Sequence, residues 1–144
     1  DAFLLAKITD WEKMNLLQAK ANIYFNNTYV GETFLNPNVL SDTLEISLAR
    51  EKGVVTSRKK VKDDDKKSAT GKKVSREITI ELAVKNNKRE SVGIQLKDQI
   101  PISKQKGVIV KLIESNGAEL EESTGLLTWN LKLNPNSTKV ISFT

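Results

Sequence analysis

The sequence contains no cysteine and no histidine among its 144 residues. Without thiol or imidazole groups, disulfides, Ser-His-Asp or Cys-His catalytic arrangements, and thiolate or imidazole metal sites are excluded. Aromatic residues make up only 6% of the chain, and no apolar run approaches the roughly 18 residues that a membrane-spanning helix needs. Acid-base chemistry would have to use carboxylates, lysine or tyrosine, and the sequence predicts neither a cofactor nor a metal.

Length and composition favour one folded unit. A chain of 144 residues, 38% hydrophobic and 28% charged, is large enough to bury a core without metal or disulfide support. Residues 1–10 lack the features of a signal peptide. Both ends fall within alternating segments, so we expect residues 1–144 to be a single domain or a fragment of a longer protein. The alternative is two sub-units, 1–57 and 74–144, joined by a basic segment.

The net charge of +5 is concentrated in that segment, residues 58–73, which reads RKKVKDDDKKSATGKK. Its basic residues are Arg58, Lys59, Lys60, Lys62, Lys66, Lys67, Lys72 and Lys73. The Lys, Asp, Ser, Thr and Gly content predicts a solvated loop at the tip of a hairpin. Contact with an anionic polymer or lipid headgroups is the alternative, although no aromatic residue interrupts the segment to stack on bases, so no specific nucleic acid partner is predicted. The three consecutive aspartates lack the spacing of an EF-hand loop and support only weak, incidental cation binding.

Alternation of apolar and polar residues recurs along the chain, and helical periodicity is scarce. Asn86-Asn87 is predicted to turn a long strand at 74–84 into a hairpin with 92–96, and Asn26-Asn27 to join two earlier strands. Further strands are expected at 44–48, 108–112, 127–133 and 139–143. Only the segment DWEKMNLLQAKA has partly helical spacing. Eight to ten short strands predict an all-β fold, an antiparallel β-sandwich that is immunoglobulin-like at least in the C-terminal half.

Asp98 is the acidic residue whose position invites a catalytic interpretation. It comes two residues after Leu96, and Pro101, which cannot donate a ladder hydrogen bond, follows closely. This is the pattern of a strand end where the chain crosses to another sheet, and an aspartate there can accept backbone N–H groups. No second acid at a readable spacing accompanies it. The sequence therefore predicts a structural role for Asp98.

Several stretches carry a resemblance to a known family. LLQAKANIYFNNTYVGETFLNP, DTLEISLAREKGVV, NNKRESVGIQLKDQIPIS and SNGAELEESTGLLTWNLKLNPNST follow one another in the chain. In this order they resemble the C-terminal domain of unknown function of the mucoidy-inhibitor-A-like bacterial family. The resemblance implies a periplasmic or cell-envelope setting and a longer chain with an N-terminal domain and a coiled coil. It implies no catalytic residues.

The aromatic residues are the candidate binding residues. Trp11, Tyr24, Tyr29 and Trp129 are able to form a platform for sugar rings. Trp129 is in register with Leu127 and Leu131, which favours a place in the core, whereas Trp11 lies beside Asp10 and Glu12 and fits either core or surface. The carbohydrate interpretation requires at least two coplanar, exposed aromatic rings.

Three hypotheses follow. The first is a non-catalytic module with a structural or protein-interaction role in a bacterial envelope protein, acting through exposed strand edges on other domains of the same chain or on a protein partner. The second is a carbohydrate-binding module for envelope or exopolysaccharide glycans. The third is a hydrolase that uses two carboxylates about 5 to 10 Å apart, for which the available acids are Asp10, Glu12, Asp42 and Asp98. The first is favoured, and we expect no enzyme activity.

Overall fold

A computed structural model describes residues 1–37, 43–67 and 74–144. These residues form ten antiparallel strands and one short 3-10 helix, and they divide into two compact units, Asp1–Lys52 and Gly53–Thr144. The strands of unit 1 are β1 (Phe3–Thr9), β2 (Ala19–Phe25), β3 (Thr28–Leu35) and β4 (Thr43–Arg50), and the 3-10 helix is Trp11–Met14. The strands of unit 2 are β5 (Val54–Lys67), β6 (Val74–Asn86), β7 (Val92–Gln99), β8 (Glu119–Glu121), β9 (Leu126–Leu133) and β10 (Thr138–Phe143). The all-β prediction is confirmed; the sandwich and immunoglobulin-like arrangements stay predictions.

Unit 1 contains two strand pairs, β1 with β4 and β2 with β3. The β2–β3 hairpin is the one that Asn26-Asn27 predicted. Both asparagines have positive φ, 48° and 59°, as the turn that suits the right-handed twist of a two-residue hairpin requires. On β1 and β4 one face is half-buried and the other exposed, as the alternation of Leu44, Ile46 and Leu48 indicated.

Unit 2 contains two three-stranded sheets, with the strand orders β10-β6-β5 and β7-β9-β8. Its core cluster takes residues from both sheets, because β6, β9 and β10 each bury alternate side chains. The members of this cluster are Ile80, Leu82, Leu127, Trp129, Ile141 and Phe143. The predicted place of Trp129 in the core is therefore confirmed.

Strand β5 corrects the prediction of a loop at 58–73 for residues 58–67, while residues 68–73 lie outside the described residues. Residues 58–67 continue a strand that begins at Val54 and pairs with β6 as far as Lys67 opposite Val74. Strand β10 pairs only with the Ile80–Lys85 part of β6. The outer parts of β5 and β6, residues 62–67 and 74–79, therefore form a two-stranded ribbon beyond the end of β10. Lys72 and Lys73 lie outside the described residues.

Asn86 does not turn β6 into β7, so the second predicted hairpin is wrong. Strand β7 pairs with β9 in the other sheet, and the Asn86 side chain is fully buried at the end of β6. Its amide donates hydrogen bonds to the backbone oxygens of Glu90 (2.8 Å) and Asn134 (3.0 Å), and its oxygen accepts one from the Lys88 N–H (3.0 Å). Asn86 thus fastens two connecting loops to a strand end.

The strand expected at 108–112 is also not formed, although residues 113–114 run beside β10. The Ile113 N–H donates to the Thr144 oxygen (2.7 Å), and the Thr144 N–H donates to the Glu114 oxygen (3.0 Å). The alternating valines at 108 and 110 are exposed, so alternation here did not reflect a buried face.

Gly125, in the turn before β9, has a positive φ of 72°, and a Cβ there would lie 2.4 Å from the Ile100 oxygen.

Candidate functional site

The β5–β6 ribbon holds a dense set of ion pairs. On one face, Arg76 donates two hydrogen bonds to the Asp63 carboxylate, at 2.5 Å and 2.7 Å, and Lys60 donates a third. These bonds, that of Arg76 above all, hold the pKa of Asp63 well below its usual range. Arg76 also approaches Asp65 at 3.7 Å. The guanidinium thus lies between two of the three consecutive aspartates.

The opposite face of the ribbon is organised around Glu77. Its carboxylate accepts hydrogen bonds from Lys62 (2.6 Å) and Lys66 (3.1 Å), which lower its pKa. The same contact raises the pKa of Lys62, and Asp64 lies 3.5 Å from that ammonium group. The charges of this basic segment are therefore largely matched within the ribbon, which weakens the case for a polyanion site.

Arg58 and Asp98 form an ion pair between strands β5 and β7. The Arg58 Nε atom lies 2.8 Å from one oxygen of Asp98, and the other oxygen accepts the Gln99 N–H at 2.8 Å. Because β5 and β7 belong to different sheets of unit 2, the pair connects the two sheets at the end of β7. The position at a strand end and the backbone hydrogen bond agree with the structural role predicted for Asp98.

The two tryptophans are buried, which removes them from any binding platform. Trp11 is 6% exposed and Trp129 is 2% exposed. The Trp129 Nε1–H donates to the Ser115 oxygen (2.9 Å), and its ring centroid lies 5.8 Å from that of Phe143. Of the four aromatic residues considered for a sugar-stacking surface, Tyr24 and Tyr29 stay exposed.

The β2–β3 hairpin presents an exposed aromatic face. Tyr24 pairs with Tyr29, and because Val30 is bulged out of register, Tyr29 faces the same side as Phe34. The three side chains are exposed by 67%, 51% and 58%, respectively. The tyrosine rings meet edge to face, with centroids 5.6 Å apart and planes at 63°, so they form an apolar ridge and not a flat surface for one sugar ring. On the same face, Lys20 lies opposite Phe34, and Glu32 lies between Tyr29 and Phe34 on β3; the Lys20 and Glu32 side chains are 3.7 Å apart. We call these three aromatic residues the hairpin face.

Two of the other acidic candidates, Asp10 and Glu12, lie at the start of the 3-10 helix. Asp10 contacts Lys13 at 2.9 Å on the 3-10 helix, and Glu12 lies in the first turn of the same helix. Asp42 lies outside the described residues. Within 1–37, 43–67 and 74–144, no three acidic residues converge in a way that suits a metal ion.

A groove in unit 2 was not predicted from the sequence. It has a volume of about 520 Å³ and lies between residues 139–142 of β10 and 129–131 of β9, with Asn116–Gly117 at one end and Glu81 beside it. Strand β8 pairs only with Leu126–Thr128 of β9, so β9 opens to the groove from Trp129 onward. No local pattern indicates it, because it depends on the order of strands that are distant in sequence.

The described residues form an all-β fold. A family model described as a domain of unknown function (DUF4139) matches residues 10–144, and the chain belongs to this family. The kinship with the mucoidy-inhibitor-A-like family stays a prediction.

A curated protein resembles nearly the whole of this chain. Protein F37C4.5 of Caenorhabditis elegans is 25% identical over 144 residues, which cover 99% of this chain and 26% of that protein. The chain therefore spans about a quarter of the length of this relative. No solved structure matches. None of the described helices is long and apolar enough to cross a bilayer.

Proposed function

We propose that this domain is a non-catalytic protein-interaction module of a longer polypeptide, and that the hairpin face is a contact surface. The observation that carries the proposal is the grouping of Tyr24, Tyr29 and Phe34, exposed on one side of a two-stranded hairpin. Aromatic side chains that are exposed in this way are typical of the centres of protein interfaces.

Two ion pairs support the non-catalytic part of the proposal. The carboxylates of Asp98 and Asp63 are each engaged by an arginine, so both act as ion-pair partners within the fold. The cell-envelope setting rests on the sequence resemblance alone. A relative that is 25% identical to this chain occurs in a nematode, and the proposed interaction is not tied to an envelope.

Site-specific photocrosslinking tests the proposed contact surface. A photoreactive benzoylphenylalanine at position 24 replaces the tyrosine ring by a larger, two-ring aromatic group, which the 67% exposure of Tyr24 allows. We expect irradiation of cells that express the longer polypeptide to give one dominant adduct, either within that polypeptide or with one protein. The matched control carries the same group at Lys7, an exposed position of β1.

Two results would contradict the proposal. One is an adduct pattern at position 24 that is no more specific than the pattern at position 7. The other is stabilisation of the chain by a soluble polysaccharide that survives high salt and is lost in Tyr24→Ala. The second result would assign the same surface to carbohydrate binding.

A further inference from the structure

On the outer side of β10, the residue that follows the strand already forms backbone hydrogen bonds with another segment of the chain. Thr144 directs its backbone N–H and C=O away from β6, where residues 113–114 pair with them. Two residues earlier, the Ser142 oxygen accepts a hydrogen bond from the Asn116 side-chain amide at 2.6 Å. The segment 113–116 therefore contacts this side of β10 twice, through its backbone at Thr144 and through the Asn116 side-chain amide at Ser142.

Val140 is the next residue that points outward. Backbone groups of an antiparallel strand face its two neighbours alternately, so Val140 follows Ser142 and Thr144 and directs its N–H and C=O away from β6. Among the described residues, no hydrogen bond occupies these two groups. The Val140 side chain is half-exposed, and the residue lies on the groove between β9 and β10.

We propose that this groove binds an extended peptide of a partner protein, which adds to β10 as a strand. The unpaired backbone groups of Val140 indicate the kind of ligand. The backbone of another extended chain can hydrogen-bond to both the N–H and the C=O of one strand residue. Asn116 limits the site on the Ser142 side, so the peptide pairs with β10 on the Val140 side of that contact. The half-buried Leu131 and the half-exposed Val140 line the groove and supply apolar surface for its side chains.

The site belongs to unit 2 and is independent of the hairpin face in unit 1. Each proposal can therefore fail while the other stands. The probe for this site is a phage-displayed library of random dodecapeptides, selected on the 144-residue chain. A selected peptide is then synthesised with a fluorescent label, and its affinity is measured by anisotropy.

The decisive variant is Val140→Pro. Proline removes the outward N–H without removing a hydrogen bond to β6, and strand edges tolerate proline where the N–H faces outward. Val140→Ala is the matched control, because it keeps the N–H and shortens only the side chain. We expect Val140→Pro to weaken peptide binding by about tenfold or more and Val140→Ala by less than about threefold.

A second measurement does not depend on the fold of the proline variant. In the wild-type chain, hydrogen exchange at the Val140 amide is expected to slow when the peptide is bound, whereas exchange at the Tyr24 amide is unchanged. Three results would overturn the inference: no peptide that binds after selection, equal affinities of the two Val140 variants, or unaltered Val140 exchange. A wild-type dimer that Val140→Pro converts to monomer would assign the edge to a second copy of the chain and also overturn it.

Discussion

The buried side chain of Asn86 allows the sharpest test of how unit 2 is held together. Asn86→Ala removes three hydrogen bonds, two to loop oxygens and one from the Lys88 N–H. Each bond contributes about 1 kcal/mol net, and the partners left without a bond add to the cost. We therefore expect the free energy of unfolding of unit 2 to fall by about 3 kcal/mol. At a urea dependence of about 1.5 kcal/mol/M, this lowers the midpoint by about 2 M.

Urea unfolding followed by tryptophan fluorescence measures this loss. Because the chain has two tryptophans, the measurement uses a Trp11→Phe background in which only Trp129 of unit 2 reports. Asn87→Ala is the matched control, since the Asn87 side chain is exposed, and it should change stability by less than about 0.5 kcal/mol. Asn86→Asp keeps the acceptor but loses both donors, so it should destabilise at least as much as alanine. A loss below about 1 kcal/mol for Asn86→Ala, with an unchanged urea dependence, would refute the reasoning.

Two other predictions concern the Gly125 turn and the charged ribbon. Gly125→Ala should cost unit 2 about 2 to 4 kcal/mol in the same urea assay, because its φ is positive and the new Cβ would collide with the Ile100 oxygen; a cost below about 1 kcal/mol would contradict this. The lowered pKa of Asp63 means that its contribution to ribbon stability is complete above the unfolded pKa of about 3.9 and is lost as pH falls further. Amide protection factors over 62–67 should therefore drop between pH 6 and pH 2 in the wild-type chain and change much less in Asp63→Asn. Equal pH profiles of the two proteins would show that the Arg76 contact does not stabilise the ribbon.

Local patterns in the sequence predicted the strands that have one buried face. Strand β6 buries Ile80, Leu82 and Val84 on the side that alternation indicated, because a period of two is imposed directly by strand geometry. The Asn26-Asn27 hairpin followed for a similar reason, since its turn needs two positive φ angles in adjacent residues. Both features depend on neighbours in the sequence.

Features that depend on distant partners were not predictable in this way. The basic segment has the composition of a loop, but its lysines and aspartates lie opposite or beside Arg76 and Glu77 of β6, and this register turns the charge run into a paired strand. The Asn86-Asn87 pair is typical of a turn, but Asn86 is buried because it contacts two later loops, one at Lys88 and Glu90 and the other at Asn134.

The same difference between local and long-range features applies to the candidate surfaces. Tyr24 and Tyr29 could be selected from the sequence because they are two of its few aromatic residues. Phe34 joins them only through the bulge at Val30, which changes the alternation on β3. The groove beside Val140 required the strand order of both sheets, which no alternation pattern contains.

The position of β10 in the chain has a consequence for how unit 2 folds. Ile141 pairs with Leu82, about 60 residues earlier, and Phe143 is part of the same core. Contacts between residues so far apart in sequence form only after the entropic cost of closing a long loop is met. We therefore expect the core to form late and more slowly than the local β2–β3 hairpin. During synthesis, one edge of β6 stays unpaired until β10 leaves the ribosome. The interval before β10 arrives is therefore the period in which this chain is most exposed to incorrect strand pairing.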